Sequence, residues 1–118
     1  MNNFTFPKSE KLRLKKDLEK LFAEGSSYFK YPVAVRFLKF EGKGTNLCAV
    51  SVPKKRFKKA IDRNRLKRQL REVYRLNKHT IQNEHCYFHL MFVYSTNEKL
   101  EFKIIEKAML KLMKNLIE

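Results

Sequence analysis

The sequence predicts a mixed α+β domain, with helices packed on a sheet as an α/β two-layer sandwich. Three observations lead there. Apolar residues recur at helical spacing in three stretches, strand-length apolar runs lie between them, and the order along the chain is helix, strands, helix, strand, helix. Only three glycines and three prolines punctuate the 118 residues. Connections are therefore short, and one domain covering residues 1–118 is the simplest parse.

The first helix opens at Ser9, a residue able to cap it. Leu14, Leu18, Leu21 and Phe22 follow at i, i+4, i+7 and i+8, one helical face. Gly25, with Ser26 and Ser27, stops it. Tyr28 to Phe40 is rich in aromatic and β-branched residues. Within it Val33, Val35 and Phe37 alternate with Ala34, Arg36 and Leu38 as in a strand, and Pro32 marks a strand start or an edge. Glu41 to Asn46 has the composition of a hairpin loop, and Leu47 to Val52 reads as the next strand, ended by Pro53. A long helix runs from about Lys59 to His79, with Ala60, Leu66, Leu70, Val73 and Tyr74 on its apolar side. Tyr87 to Tyr94 is an apolar run of strand length. Ser95 to Glu98 is a turn feeding the cap of a last helix, in which Ile105, Ala108, Met109, Leu112 and Leu116 repeat at helical spacing.

Charge narrows the function. Lys and Arg number 27 against 12 Asp and Glu, a formal net charge of +15. An excess of that size destabilises a compact chain by self-repulsion, so a polyanionic partner is the natural explanation. No apolar run approaches the length of a bilayer span. The stretch Met1 to Pro7 lacks the apolar core of a signal peptide, which points to the cytoplasm and away from a membrane. Cys48 and Cys86 fit that compartment as reduced, buried thiols; they could pair only if their strands were neighbours.

The excess is concentrated. Between Lys54 and Arg75 eleven cations (Lys54, Lys55, Arg56, Lys58, Lys59, Arg63, Arg65, Lys67, Arg68, Arg71 and Arg75) face only Asp62 and Glu72, a net +9. On the predicted helix Asn64, Arg68, Arg71 and Arg75 fall at i, i+4, i+7 and i+11 and share one face bordered by Lys67, while Leu66, Leu70 and Val73 take the opposing side. Like charges at this spacing cost a few tenths of a kcal/mol per pair, and an idle solvated face normally carries more Glu. Arg outnumbers Lys within the helix, as suits bidentate phosphate contacts.

The string Arg63-Asn64-Arg65, an apolar residue, Lys67-Arg68, two residues and Arg71 resembles the signature of the bacterial ribonuclease P protein family. Ser51-Val52-Pro53-Lys54-Lys55 resembles that family's strand end, and Leu12 to Gly25 its first helix. The resemblance implies an αβββαβα order with a left-handed βαβ crossover, against the usual rule. It implies a non-catalytic protein subunit of an endoribonuclease ribonucleoprotein. The partners would be the catalytic RNA and precursor tRNA, with no obligate protein partner. The Mg²⁺ of the reaction would be held mainly by RNA. Carried over by position, Lys54, Lys55, Arg63, Asn64, Arg65, Lys67, Arg68 and Arg71 bind RNA, and Arg75 continues their face. A cleft between the first helix and the sheet would take the 5′ leader of precursor tRNA, through Phe22, Leu18, Arg36 and Ser51. Phe22 matches a family aromatic able to stack on a base, and core packing at helical spacing is an equal reading for it. Leu18 and Arg36 stand where relatives often carry aromatics: core packing suits Leu18, and guanidinium stacking suits Arg36.

Other chemistries find less support. His85, Cys86 and His89 lack the second ligand pair of a zinc site. Asp17, Glu19 and Glu41 form no legible acid/base pair, and neither a Gly-rich phosphate loop nor a Ser/His/Asp cluster is present. The expected metal and catalytic residues of the protein itself are therefore none. A structural RNA-binding protein of ribosomal type, without a role in cleavage, is the main alternative. A DNA-binding basic helix and a protein-only metallonuclease are weaker ones, the latter for want of clustered carboxylates.

Overall fold

The computed structural model describes residues 5–118; residues 1–4, part of the N-terminal segment read above for a signal peptide, lie outside it. The chain forms α1 (Lys15–Glu24), β1 (Ser26–Lys30), β2 (Val33–Glu41), β3 (Leu47–Ser51), α2 (Ala60–Asn77), β4 (Cys86–Tyr94) and α3 (Phe102–Leu116), with 3₁₀ turns at Lys8–Glu10 and Lys78–Ile81. This is the αβββαβα order.

The sheet order is β1-β2-β4-β3. β1 pairs with β2 and β2 with β4, both antiparallel, whereas β3 and β4 run parallel. β3, α2 and β4 thus form the βαβ unit. The apolar run of β4 is explained by its central place. Cys86, Phe88, Leu90, Phe92 and Tyr94 are buried on one face, and Tyr87, His89, Met91 and Val93 are half-buried on the other. The first set meets Val33 and Val35 of β2, Leu66, Leu70, Val73 and Tyr74 of α2, and Ile105, Met109, Leu112 and Met113 of α3 in one core. Each such apolar side chain contributes about 1.5–3 kcal/mol by leaving water.

α1 crosses the opposite face. Its only fully buried residue is Leu21, and it leaves part of that face uncovered. The residues before it pair with the outer edge of β3: Leu12 N–H donates to the Cys48 carbonyl at 2.9 Å. This strand-like pairing displaces the helix start expected at Ser9; Ser9 lies in a 3₁₀ turn, and Leu14 precedes α1 without a side-chain cap. Gly25 does end α1, but in extended rather than left-handed backbone. Glycine is required there by close approach: a Cβ would lie 2.4 Å from the Leu21 carbonyl oxygen and 3.0 Å from that of Phe37.

Three further boundaries differ from expectation. Tyr28 to Phe40 is two strands, turned at a cis Tyr31–Pro32 bond, so that β1 folds back on β2. Glu101, not the Ser95–Glu98 turn, precedes α3, and no side chain caps it. Instead the buried Tyr94 hydroxyl donates to the Glu98 carbonyl and accepts from Leu100 N–H, at 2.5 and 3.0 Å, and so orders that turn. Ala60 is exposed at the first turn of α2 rather than on its apolar side.

Cys48 and Cys86 are free and buried. Their strands are neighbours, but the register sets Cys48 opposite Leu90 and Cys86 opposite Glu41. Burial pushes the Cys48 thiol well above its ordinary pKa, which leaves it a poor nucleophile. Lys78, 4% exposed, is held by Glu10 at 2.6 Å and by the Thr5 carbonyl, which ties the chain's start to the end of α2. Among the described residues no helix is long and apolar enough to cross a membrane.

Candidate nucleic-acid interface

The basic stretch divides as the helical spacing predicts. Leu66, Leu70 and Val73 are buried, while Asn64, Arg65, Arg68 and Arg71 are exposed and Lys67 is half-buried beside them. The two acids of the stretch are both engaged. Asp62 pairs with Lys99 at 3.2 Å. Glu72 accepts from Arg75 at 2.6 and 3.1 Å, and this hydrogen bonding holds its carboxyl below the usual range. Of the two acids only Glu72 offsets a cation of the row, Arg75 at its end, while Asp62 is taken up by Lys99 outside it; Arg68 and Arg71, one turn apart, stand at the middle of the row. Arg75 sits half-buried at the end of the row with part of its charge matched.

Arg63 belongs elsewhere. Its Nη1 donates to the carbonyls of Phe57 and Lys58, both at 2.8 Å. It faces the sheet side of α2 and braces the loop that carries the exposed Lys54, Lys55, Lys58 and Lys59. That loop follows β3 through a turn in which Arg56 and Phe57 N–H donate to the Pro53 carbonyl. Phe57 anchors it, buried against Tyr94 at 5.7 Å between ring centroids. The cationic surface is thus wider than the helix: a fixed lysine-bearing loop leads into the arginine row. Ile61, 75% exposed, lies on the same helical face as Asn64 and Arg68 and was not expected there.

The second group of residues gathers on the other face of the sheet. Cross-strand pairing sets Arg36 beside Met91 and Ala49, and Ala34 beside Val93 and Ser51. All six are half-buried. α1 crosses above them, with Lys20 over the Phe40 ring at 5.3 Å on one flank. Leu18 and Phe22 lie on the opposite flank of the helix. Leu18 is half-buried, in keeping with packing, but Phe22 is 54% exposed, so its ring is not a core residue. The result is a half-buried patch of Ala34, Ala49, Met91 and Val93 beside α1, with an exposed aromatic on the helix flank and Ser51 close to where the chain leaves for Lys54.

Arg36 belongs to this face of the sheet, and its guanidinium is committed. Nε donates to the Leu21 carbonyl at 3.1 Å, Nη2 to the Phe22 carbonyl at 2.6 Å and Nη1 to Ser27 Oγ at 3.1 Å. The first two acceptors are carbonyls of the last turn of α1; that of Leu21 also accepts from Gly25 N–H at 2.9 Å. This grip fixes the guanidinium at the end of α1, because a side chain reaching up from β2 meets the negative end of that helix directly above it.

Sequence reasoning missed two features of this face. Phe29, 62% exposed, stands opposite Ala34 on edge strand β1; only resolving the Tyr31–Pro32 turn reveals it. Phe40 stacks on Tyr87 at 5.0 Å and contacts His89 at 4.7 Å. Burial lowers the His89 pKa, with Asp17 opposing and Lys20 adding to the effect. Among the described residues no three His, Cys, Asp or Glu side chains converge as metal ligands.

The sequence profile of the family described as Ribonuclease P matches residues 6–117. The ribonuclease P protein component of Porphyromonas gingivalis (strain ATCC 33277) is 39% identical over 114 residues, 92% of this chain and 83% of that protein. That of Dictyoglomus thermophilum is 38% identical over 79 residues, 66% of this chain and 63% of that one. The structure of the RNase P protein from Thermotoga maritima matches with a TM-score of 0.75 at 30% identity, over 90% of this chain and 96% of that chain. The Staphylococcus aureus RNase P protein matches with a TM-score of 0.75 at 18% identity, over 92% and 96%, a likeness of fold.

Proposed function

Because this chain belongs to the ribonuclease P protein family, we propose that it is the protein subunit of a ribonuclease P ribonucleoprotein. It binds the catalytic RNA and the 5′ leader of precursor tRNA, and assists Mg²⁺-dependent endonucleolytic removal of that leader. The observation that carries this reading is the segregation on α2: exposed Asn64, Arg65, Arg68 and Arg71 on one side, a buried apolar side opposite, and the neighbouring acids already paired.

In this reading Arg68, Arg71 and the lysines at 54 and 55 meet phosphates of the RNA subunit. Such contacts set register and orientation without reading sequence. Asn64 adds a group that both donates and accepts hydrogen bonds. Arg63 serves indirectly, by holding the lysine-bearing loop. Arg75 extends the row with reduced charge. The leader lies in the groove below α1, where Phe22 stacks on a base and Leu18 and Ser51 form wall and floor. Arg36 fixes the helix that carries Phe22. The protein supplies no catalytic group: cleavage belongs to the RNA, which holds the Mg²⁺, and the protein's cations lower the repulsion that otherwise demands more of that ion. The compartment is the cytoplasm.

The test is reconstitution with a bacterial ribonuclease P RNA at low Mg²⁺. Added protein is expected to raise the rate of precursor-tRNA cleavage to a mature 5′ end. An unchanged rate, with protein and RNA both folded, rejects the proposal.

A further inference from the structure

α3 carries a second cationic row. Lys103, Lys107, Lys111 and Lys114 follow at i, i+4, i+8 and i+11, which places all four within a quarter of the helix circumference. All are exposed, whereas Ile105, Ala108, Met109, Leu112, Met113 and Leu116 bury the opposite side. The row spans roughly 16 Å along the axis, with about 6 Å between successive turns. Among the described residues its one ion pair is Lys114 with Glu118, at 3.9 Å and largely exposed. Lysines at this spacing destabilise a helix by mutual repulsion, and nothing in the fold requires them there.

Their position relative to α2 gives them a meaning. α2 and α3 pack side by side on the same face of the sheet and share one core, so their outer sides look the same way. The Asp62–Lys99 pair joins the first turn of α2 to the segment leading into α3, and the two rows start from that common end. Arg56 also reaches across to Asn97 at 3.3 Å. We propose that the outer face of α3, through Lys103, Lys107, Lys111 and Lys114, is a second RNA-backbone surface that extends the α2 row across the whole helical side of the molecule. The inference rests on the chain's having an RNA partner and adds a second site of contact with it. A lipid surface is the less suitable occupant. The exposed apolar residues of α3 do not form a stripe: Ile104 lies at one edge of the lysine row and Leu110 and Ile117 at the other.

The surface is tested with the variant K103Q/K107Q/K111Q/K114Q, which keeps helix-forming residues at every position. Its affinity for ribonuclease P RNA is measured against salt, with a thermal melt to verify folding. Each phosphate neutralised adds about 0.7–0.9 to the magnitude of the log–log salt slope, so a loss of about three is expected. A drop smaller than one, in a folded variant, overturns the proposal. In the same series R68A/R71A must lower the slope. Wild type that stimulates no cleavage and shows no slope defeats the broader reading instead. A Lys107→Cys variant with a photo-activated thiol label gives a second readout. Cys48 and Cys86 are buried, so the label goes to the new site. Cross-linking to the RNA is expected, and its absence in an active holoenzyme counts against the proposal. Anionic vesicles containing phosphatidylserine form the last arm. Vesicle binding that the quadruple variant abolishes, with the RNA slope unmoved, assigns the face to lipid and overturns it.

Discussion

Replacing Arg36 by Gln separates the grip on α1 from any direct contact with RNA. The substitution removes three hydrogen bonds, to the Leu21 and Phe22 carbonyls and to Ser27 Oγ. A bond from a charged donor contributes about 1.5–3 kcal/mol when fully buried. Arg36 is half-buried, and water can replace it at the two more exposed acceptors, so roughly 1–2 kcal/mol in total is expected. For a domain of this size that corresponds to about 4–8 °C in Tm. Thermal or urea unfolding measures it. The same loosening lets Phe22 drift from the groove, so the affinity for precursor tRNA should fall by about three- to tenfold relative to leaderless tRNA. That is a part of the ~1–3 kcal/mol a stacked base contributes. Arg36→Lys keeps the charge but cannot reach three acceptors at once, and should recover little of either quantity. Stability of Arg36→Gln within about 0.3 kcal/mol of wild type refutes the grip. Lost stability with unchanged leader discrimination refutes the groove as the leader's site.

Phe22→Ala removes an exposed ring, so stability should stay within about 0.5 kcal/mol; leader-dependent affinity should fall by ~1–3 kcal/mol, as competition between leader-bearing and leaderless tRNA would reveal. Arg68→Ala should reduce the salt slope of RNA binding by about one if it meets a single phosphate, and an unchanged slope removes it from the interface. His89 gives a pH test. The unfolded imidazole takes up its proton near pH 6.5, whereas burial makes the folded one resist until lower pH. Its contribution is therefore full above about pH 6.5 and declines as pH falls below that value. His89→Gln should flatten the stability curve between neutral pH and pH 5; equal slopes in the two proteins would exclude the effect.

What was legible in the sequence is what depends on period and charge. The two sides of α2 follow from 3.6 residues per turn and hold to the residue for Leu66, Leu70, Val73, Arg68 and Arg71. The order of elements follows from the same signals. What escaped depends on neighbours remote in sequence. Ser9 is a sound cap by type, yet the following backbone bonds to β3 instead, and α1 waits until Lys15. The Tyr31–Pro32 turn has none of the Gly or Asn residues that announce a tight hairpin, so Phe29 stayed inside a single imagined strand. Arg63 and Arg36 were read by their charge. Their work is decided by carbonyls that the fold brings to them, six residues away for Phe57 and fifteen for Leu21. Charge announces a surface; only the fold tells which cations remain for a partner.

The sheet order has a consequence for how the protein is made. β4 lies between β2 and β3 yet is the last strand to leave the ribosome. Until Tyr94 has emerged, the β1–β2 hairpin and β3 have no shared partner, and the apolar sides of α2 and of the hairpin have no floor to rest on. The core therefore stays open until β4 has been made. A product truncated between Arg75 and Cys86 keeps the full arginine row of α2 but lacks the central strand that supports it: a polycation without a closed core. Placement of β4 and support of the arginine row from below are thus one event.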